Sequence, residues 1–206
     1  MTFSKDDIEL LKGRVESRLS QRRYLHTLGV VNAAVKLAEL CLPDSVLEAE
    51  AAALLHDVSK EYTLEEQYSL IKEFNIKIDE SDYNSPAILH SFTAPAVIKR
   101  DFNKFATTKI LSAVFNHTIG SPDMEIFDEI IFLADYIEEN RTYDSCIAVR
   151  KFVFDNMKLG EREFNIKILH RACVKAIDLT VANLLENKKN INEKNILTRN
   201  ALMSKI

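Results

Sequence analysis

Four of the five histidines fall in one ordered series with two aspartates: His26, the doublet His56-Asp57, His90, His117 and Asp135. Neutral imidazoles and carboxylates ligate divalent first-row metals, and six such side chains suffice for two ions. The steps from one group to the next are 30, 34, 27 and 18 residues. No single helix or turn covers such intervals. The ligands must converge from several separate elements.

Those elements are expected to be helices. Only four Gly and four Pro interrupt 206 residues, and apolar residues recur mostly every three or four positions, so the fold class is all-α. Helices are expected at about 5–19, 22–41, 45–57, 63–74, 85–100, 105–117, 123–138, 144–156 and 161–187, with a short one near 195–204. Ser45 to Glu48 and Thr63 to Glu66 read as capping boxes. Ser85-Pro86 and Ser121-Pro122 read as an N-cap followed by proline in the first turn. Ile76-Lys77-Ile78 alternates too briefly for a sheet, and residues 187–197 read as a polar linker. The length predicts one domain over 1–206, with the ligands at 26–135 and the helices of 161–206 packed on them.

Each candidate has a plain reading beside the chemical one. His26 shares an inward stripe with Gly29, Val30, Ala33 and Leu37, where a histidine is either a hydrogen-bonded core residue or a ligand. His56-Asp57 ends the apolar run AEAAALLHDVSK (49–60). A buried aspartate there is costly unless paired or metal-bound. His90 is read one turn into its helix, and His117 ends TKILSAVFNH (108–117). The helix macrodipole alone favours histidines at C-terminal ends. Asp135 lies inside IIFLADYI (130–137) and needs either a metal or a buried cation. His170 has no partner pattern and is expected to be structural or exposed. Glu65-Glu66 and Glu138-Glu139 are expected on solvated faces.

The bulk numbers exclude several classes. A net charge of −4 argues against a nucleic-acid surface. No uncharged apolar run reaches the roughly 18 residues of a membrane span. Three cysteines without a CxxC spacing argue against a disulfide framework and fit a reducing compartment. The opening MTFSKDDIELLKGRVES lacks a cationic segment followed by an apolar one. A cytoplasmic protein is the expectation, and the apolar helix faces leave a homodimer open.

The order His, His-Asp, Asp on helices resembles the HD-domain metal-dependent phosphohydrolases. The closer likeness is to their YqeK branch, the symmetrical bis(5′-nucleosyl)-tetraphosphatases. It runs through RRYLHTLGV (22–30), AALLHDVSKEY (52–62), Leu89-His90, NHTIGSPDM (116–124), IIFLADYIEENR (130–141) and Thr198 to Leu202. Three stretches depart from the family pattern: Ser91 to Pro95, Ser121 to Asp123, and Glu139-Asn140 where Pro-Gly is usual. All three spare the ligands.

The resemblance implies a single HD-type helical bundle of nine to ten helices. It implies one metal held by His26, His56, Asp57 and Asp135, and a second bridged by Asp57 and completed by His90 and His117. Two iron ions are the expected cofactors, with manganese or another first-row metal as the alternative. A water between two cations becomes acidic enough to supply hydroxide near neutral pH. The implied reaction is hydrolysis of diadenosine tetraphosphate to two ADP, with Asp57 and Lys60 as catalytic candidates. Arg23, Lys60, Thr118 and Arg141 are the candidate contacts to substrate phosphates. Three rivals remain at this stage: another HD-type nucleotidase or phosphodiesterase, a nucleotide-binding regulatory domain without turnover, and a helical scaffold without ligand whose histidines fill the core. A regulatory domain is expected to have lost a ligand, and all six are present.

Overall fold

The helix boundaries follow from the chain's capping chemistry. The computed structural model describes residues 3–206. Ser4 caps α1 (Lys5–Glu16) in a reciprocal box with Asp7. Ser20 caps α2 (Gln21–Cys41) by accepting the N–H of Arg23. The backbone N–H and hydroxyl of Ser20 donate to Glu61 at 2.7 and 2.6 Å. The start of the His26 helix is thereby tied to the segment just after His56-Asp57.

The rest of the chain forms α3 (Val46–Leu55), α4 (Leu64–Glu73), the one-turn α5 (Glu80–Tyr83), α6 (Leu89–Asp101), α7 (Thr108–Asn116), α8 (Ile126–Ile137), α9 (Asp144–Asn156), α10 (Arg162–Glu186) and α11 (Glu193–Met203). There is no strand among the described residues, and none of these helices is long and apolar enough to cross a membrane. Helix α3 is central. Ala49, Ala51, Ala52, Ala53, Leu54 and Leu55 are all fully buried, and the small alanines let α2 and α7 approach closely. Each of the two leucines contributes about 1.5–3 kcal/mol by leaving water. Helix α8 packs against α2, α7 and α10, and one apolar cluster runs from Phe3 to Leu202.

Ten expected helices are found, with ends shifted by a few residues; α5 is additional. The Thr63–Glu66 box forms. Ser85-Pro86 takes the expected N-cap and first positions, but of a 3-10 turn and without a side-chain cap, and the other two start signals do not form. Lys109 donates to Ser45 Oγ at 2.6 Å and Glu48 Oε2 at 2.8 Å, so both halves of that box serve a lysine from α7. Ser85 turns back to the carbonyl of Ser81 at 2.7 Å, and Pro86 opens a short 3-10 turn. Helix α6 consequently starts at Leu89, and His90 is its second residue. Ser121-Pro122 lies in a turn, and α8 is capped by Glu125 paired with Asp128.

The C-terminal helix closes the site from one side. Gly120, just beyond His117, has φ +73°, and an added Cβ would lie 2.6 Å from Thr198 of α11. Asn195 of the same helix donates to the carbonyl of Ile119 at 3.2 Å. The polar segment expected at 187–197 is shorter, because Asn192 caps α11.

Candidate metal centre

All six sequence-predicted ligands converge. His26 comes from α2, His56 and Asp57 from the turn after α3, His90 from the first turn of α6, His117 from the C-terminal end of α7, and Asp135 from α8. His56, Asp57, His90 and His117 are buried. Asp57 divides its two oxygens. Oδ2 lies 3.4 Å from His56 Nε2 and 3.7 Å from His26 Nε2. Oδ1 lies 3.3 Å from His90 Nε2 and 3.8 Å from His117 Nε2. Asp135 Oδ1 faces the first pair, 3.1 Å from His26 Nε2 and 3.9 Å from His56 Nε2.

Backbone carbonyls set two of the rings. His56 Nδ1 donates to Ala53 at 2.7 Å, and His117 Nδ1 donates to Val114 at 2.6 Å. Each ring therefore presents Nε2 with its lone pair to the centre. His26 Nε2 and His56 Nε2 are buried and make no hydrogen bond, despite facing carboxylates. Burying such groups without a partner is costly. Ligation of a cation satisfies both nitrogens and both aspartates, so the residues fit a divalent metal. His26, His56 and Asp135 form one group with metal-binding spacing, and His56, Asp57 and His117 form another.

The charges have been tuned by proximity. Burial opposes ionisation of Asp57, but His56 and His117 hold its carboxyl well below the usual range. Asp135 is half-buried; burial raises its carboxyl, but Arg141 and His26 hold it well below the usual range. Burial lowers His26, but Asp135 and Glu138 outweigh it and bring it to about 9. His90 falls well below 6.5, first through burial.

The candidate phosphate contacts line the same cavity, of about 250 Å³. Arg23 Nη1 donates to Asp57 Oδ2 at 2.8 Å, and Arg141 Nη2 donates to Asp135 Oδ1 at 2.6 Å. The cation pairing weighed as the plain reading for Asp135 is thus present alongside the two imidazoles. Lys60 Nζ donates to the carbonyl of Ala87 and lies 3.2 Å from His90 Nδ1. Burial lowers the Lys60 pKa. Thr118 Oγ1 is 3.1 Å from His117 Nε2. A larger groove of about 970 Å³ opens on the other side, lined by Arg22, Leu25, His26, Glu138 and Tyr143, and it shares Arg23 and Arg141 with the inner cavity.

One expectation needs correction. Glu138 is not solvated: it is 1% exposed, and its carboxylate accepts from His26 Nδ1 at 3.2 Å. Glu139, its neighbour, is exposed as expected. His170 is structural, one of the two readings expected of it: it is buried, with Nδ1 2.6 Å from Glu129 Oε2, away from the centre.

The HD-domain family model matches residues 23–140. The chain is 32% identical to the symmetrical bis(5′-nucleosyl)-tetraphosphatase of Bacillus subtilis over 92% of its own length and 94% of that protein's. It is 35% identical to the protein of the same name from Halalkalibacterium halodurans over 66% of its length and 71% of the other's. In three dimensions it superposes on a crystal structure described as a predicted HD superfamily hydrolase involved in NAD metabolism from Clostridium acetobutylicum. That match has TM-score 0.82 over the full length of both chains at 24% identity, a likeness of fold.

Proposed function

The chain belongs to the HD-domain family, and on that premise we propose that it is a metal-dependent phosphohydrolase which cleaves diadenosine tetraphosphate symmetrically to two ADP. The observation that carries the reading is Asp57, whose two oxygens face two separate pairs of imidazoles. When bound, two divalent cations there supply Lewis-acid charge and acidify water. Iron is our first assignment and manganese the second, on the mixed imidazole and carboxylate set.

The protein's own side chains divide the remaining work. Arg23 and Arg141 stand between the inner cavity and the outer groove, where they can hold phosphoryl oxygens bidentately. Lys60 and Thr118 donate from the inner wall. Pockets for ligands of ordinary size hold about 300–1,000 Å³. The inner cavity therefore suits phosphates, and the groove beside Leu25 and Tyr143 suits a nucleoside. Such an arrangement favours attack by water on an inner phosphorus with a nucleoside diphosphate as leaving group. Two ADP per substrate follow from one water.

One apolar cluster spanning Phe3 to Leu202 supports a single domain over 1–206, and three free buried thiols fit a reducing cytoplasm. The test is chromatography of products from diadenosine tetraphosphate after anaerobic purification with metal analysis. ADP as sole product is expected. Equal ATP and AMP, or no turnover by metal-loaded protein, overturns the reading.

A further inference from the structure

Helix α2 carries a glycine that its backbone does not require. Gly29 lies one turn beyond His26, and its φ is not positive. Glycine in mid-helix is destabilising relative to alanine. The close approach of α8 explains it. An added Cβ would lie 2.2 Å from Glu138 Oε2 and 2.9 Å from Asn140 Nδ2. The missing side chain is the space through which Glu138 reaches the His26 ring.

The segment carrying Glu138 is itself fixed. The Asn140 N–H donates to Glu138 Oε2 at 2.7 Å. Arg150 of α9 donates to the carbonyls of Ile137 at 2.6 Å, Glu138, and Arg141 at 2.8 Å. The Asn140 amide also reaches the carbonyl of Leu25, the residue before His26. One turn therefore presents Glu138 to His26 and Arg141 to Asp135.

We propose that Glu138 is the positioning residue of His26, held in contact by Gly29 and by the Arg150-braced turn. This rests on the metal-centre reading given above. An ionised carboxylate only accepts, so Nδ1 carries a proton, and Nε2, which faces Asp57 and Asp135, is left as the ring nitrogen that would ligate a cation. A partner of this kind fixes the ring and raises its basicity, and its loss typically lowers metal affinity ten- to a hundredfold.

The experiment is Mn²⁺ titration of the metal-stripped full chain, with helix content checked by circular dichroism. Glu138→Ala is expected to weaken the tighter or looser step by about ten- to a hundredfold, and Glu138→Gln, which still accepts from Nδ1–H, to recover most of it. Gly29→Ala leaves both residues in place but displaces the carboxylate, and is expected to weaken binding similarly. In a Glu138→Ala background it should add nothing further. Native Mn²⁺ affinity in a helical Glu138→Ala protein, or equal effects of Gly29→Ala in both backgrounds, overturns the role of Glu138 alone. A native chain that takes up no Mn²⁺ overturns the metal-centre reading and this inference with it.

Discussion

Arg23 donates from Nη1 to Asp57 Oδ2 at 2.8 Å, so a cavity-wall cation contacts the carboxylate that faces all four imidazoles. The contact ties substrate binding to the centre. We expect Arg23→Ala to raise KM for diadenosine tetraphosphate. A hydrogen bond to a charged group is worth about 1.5–3 kcal/mol, or roughly ten- to a hundredfold. Arg23→Lys should recover only part, because an ammonium cannot make the planar fork. Steady-state kinetics check this, and an unchanged KM in Arg23→Ala removes Arg23 from the binding set.

Asp57→Ala removes both oxygens at once. Hydrolysis is expected to fall below detection while the far-ultraviolet spectrum stays helical, since the core of α3 ends at Leu55 and does not depend on the carboxylate. Bound metal should fall in parallel. Normal turnover by a folded Asp57→Ala protein would overturn the mechanism.

The six candidate ligands were legible because polar residues inside apolar runs carry a cost that shows in the sequence itself. Asp135 within IIFLADYI and His56-Asp57 after AEAAALL are of this kind. Glu138 was hidden. Its neighbour Glu139 is the same residue type, and only the three-dimensional end of α8 decides which of the two is buried. The available signal was Gly29, a mid-helix glycine three residues after the first histidine. Distant partners explain the misread caps as well. Lys109 takes both Ser45 and Glu48 from 61 or more residues away, and local pattern carries no trace of it.

His170→Ala tests the buried polar group that lies apart from the centre. Glu129 is fully buried and is held by His170 at 2.6 Å and by Lys205 at 3.1 Å. Removing the imidazole leaves one carboxylate oxygen without its partner, at a cost of about 1–3 kcal/mol. A domain of this size loses roughly 2–4 °C of Tm per kcal/mol. Thermal unfolding should shift down by several degrees, with bound metal unchanged. A metal loss matching that of His56→Ala would mean that the ligand set is wrong.

The thiols report on the packing of the same core. Cys41 and Cys173 are fully buried and Cys146 is 3% exposed. Burial pushes the Cys41 thiol up to about 12 and raises Cys146 and Cys173 as well. The thiolate is the reactive species. A rise from 9 to about 12 cuts its fraction at pH 8 by roughly a thousandfold, before steric shielding is counted. Native protein is therefore expected to show no rapidly reacting thiol toward a disulfide reagent at pH 8, and three after denaturation. Raising the pH to 9 multiplies the Cys41 thiolate fraction about tenfold, but should bring little gain in rate, because the reagent must still enter a closed core. Reaction should instead follow unfolding, with a rate independent of reagent concentration once opening limits it. A fast native thiol would show that α2, α9 or α10 opens far more readily than this packing allows.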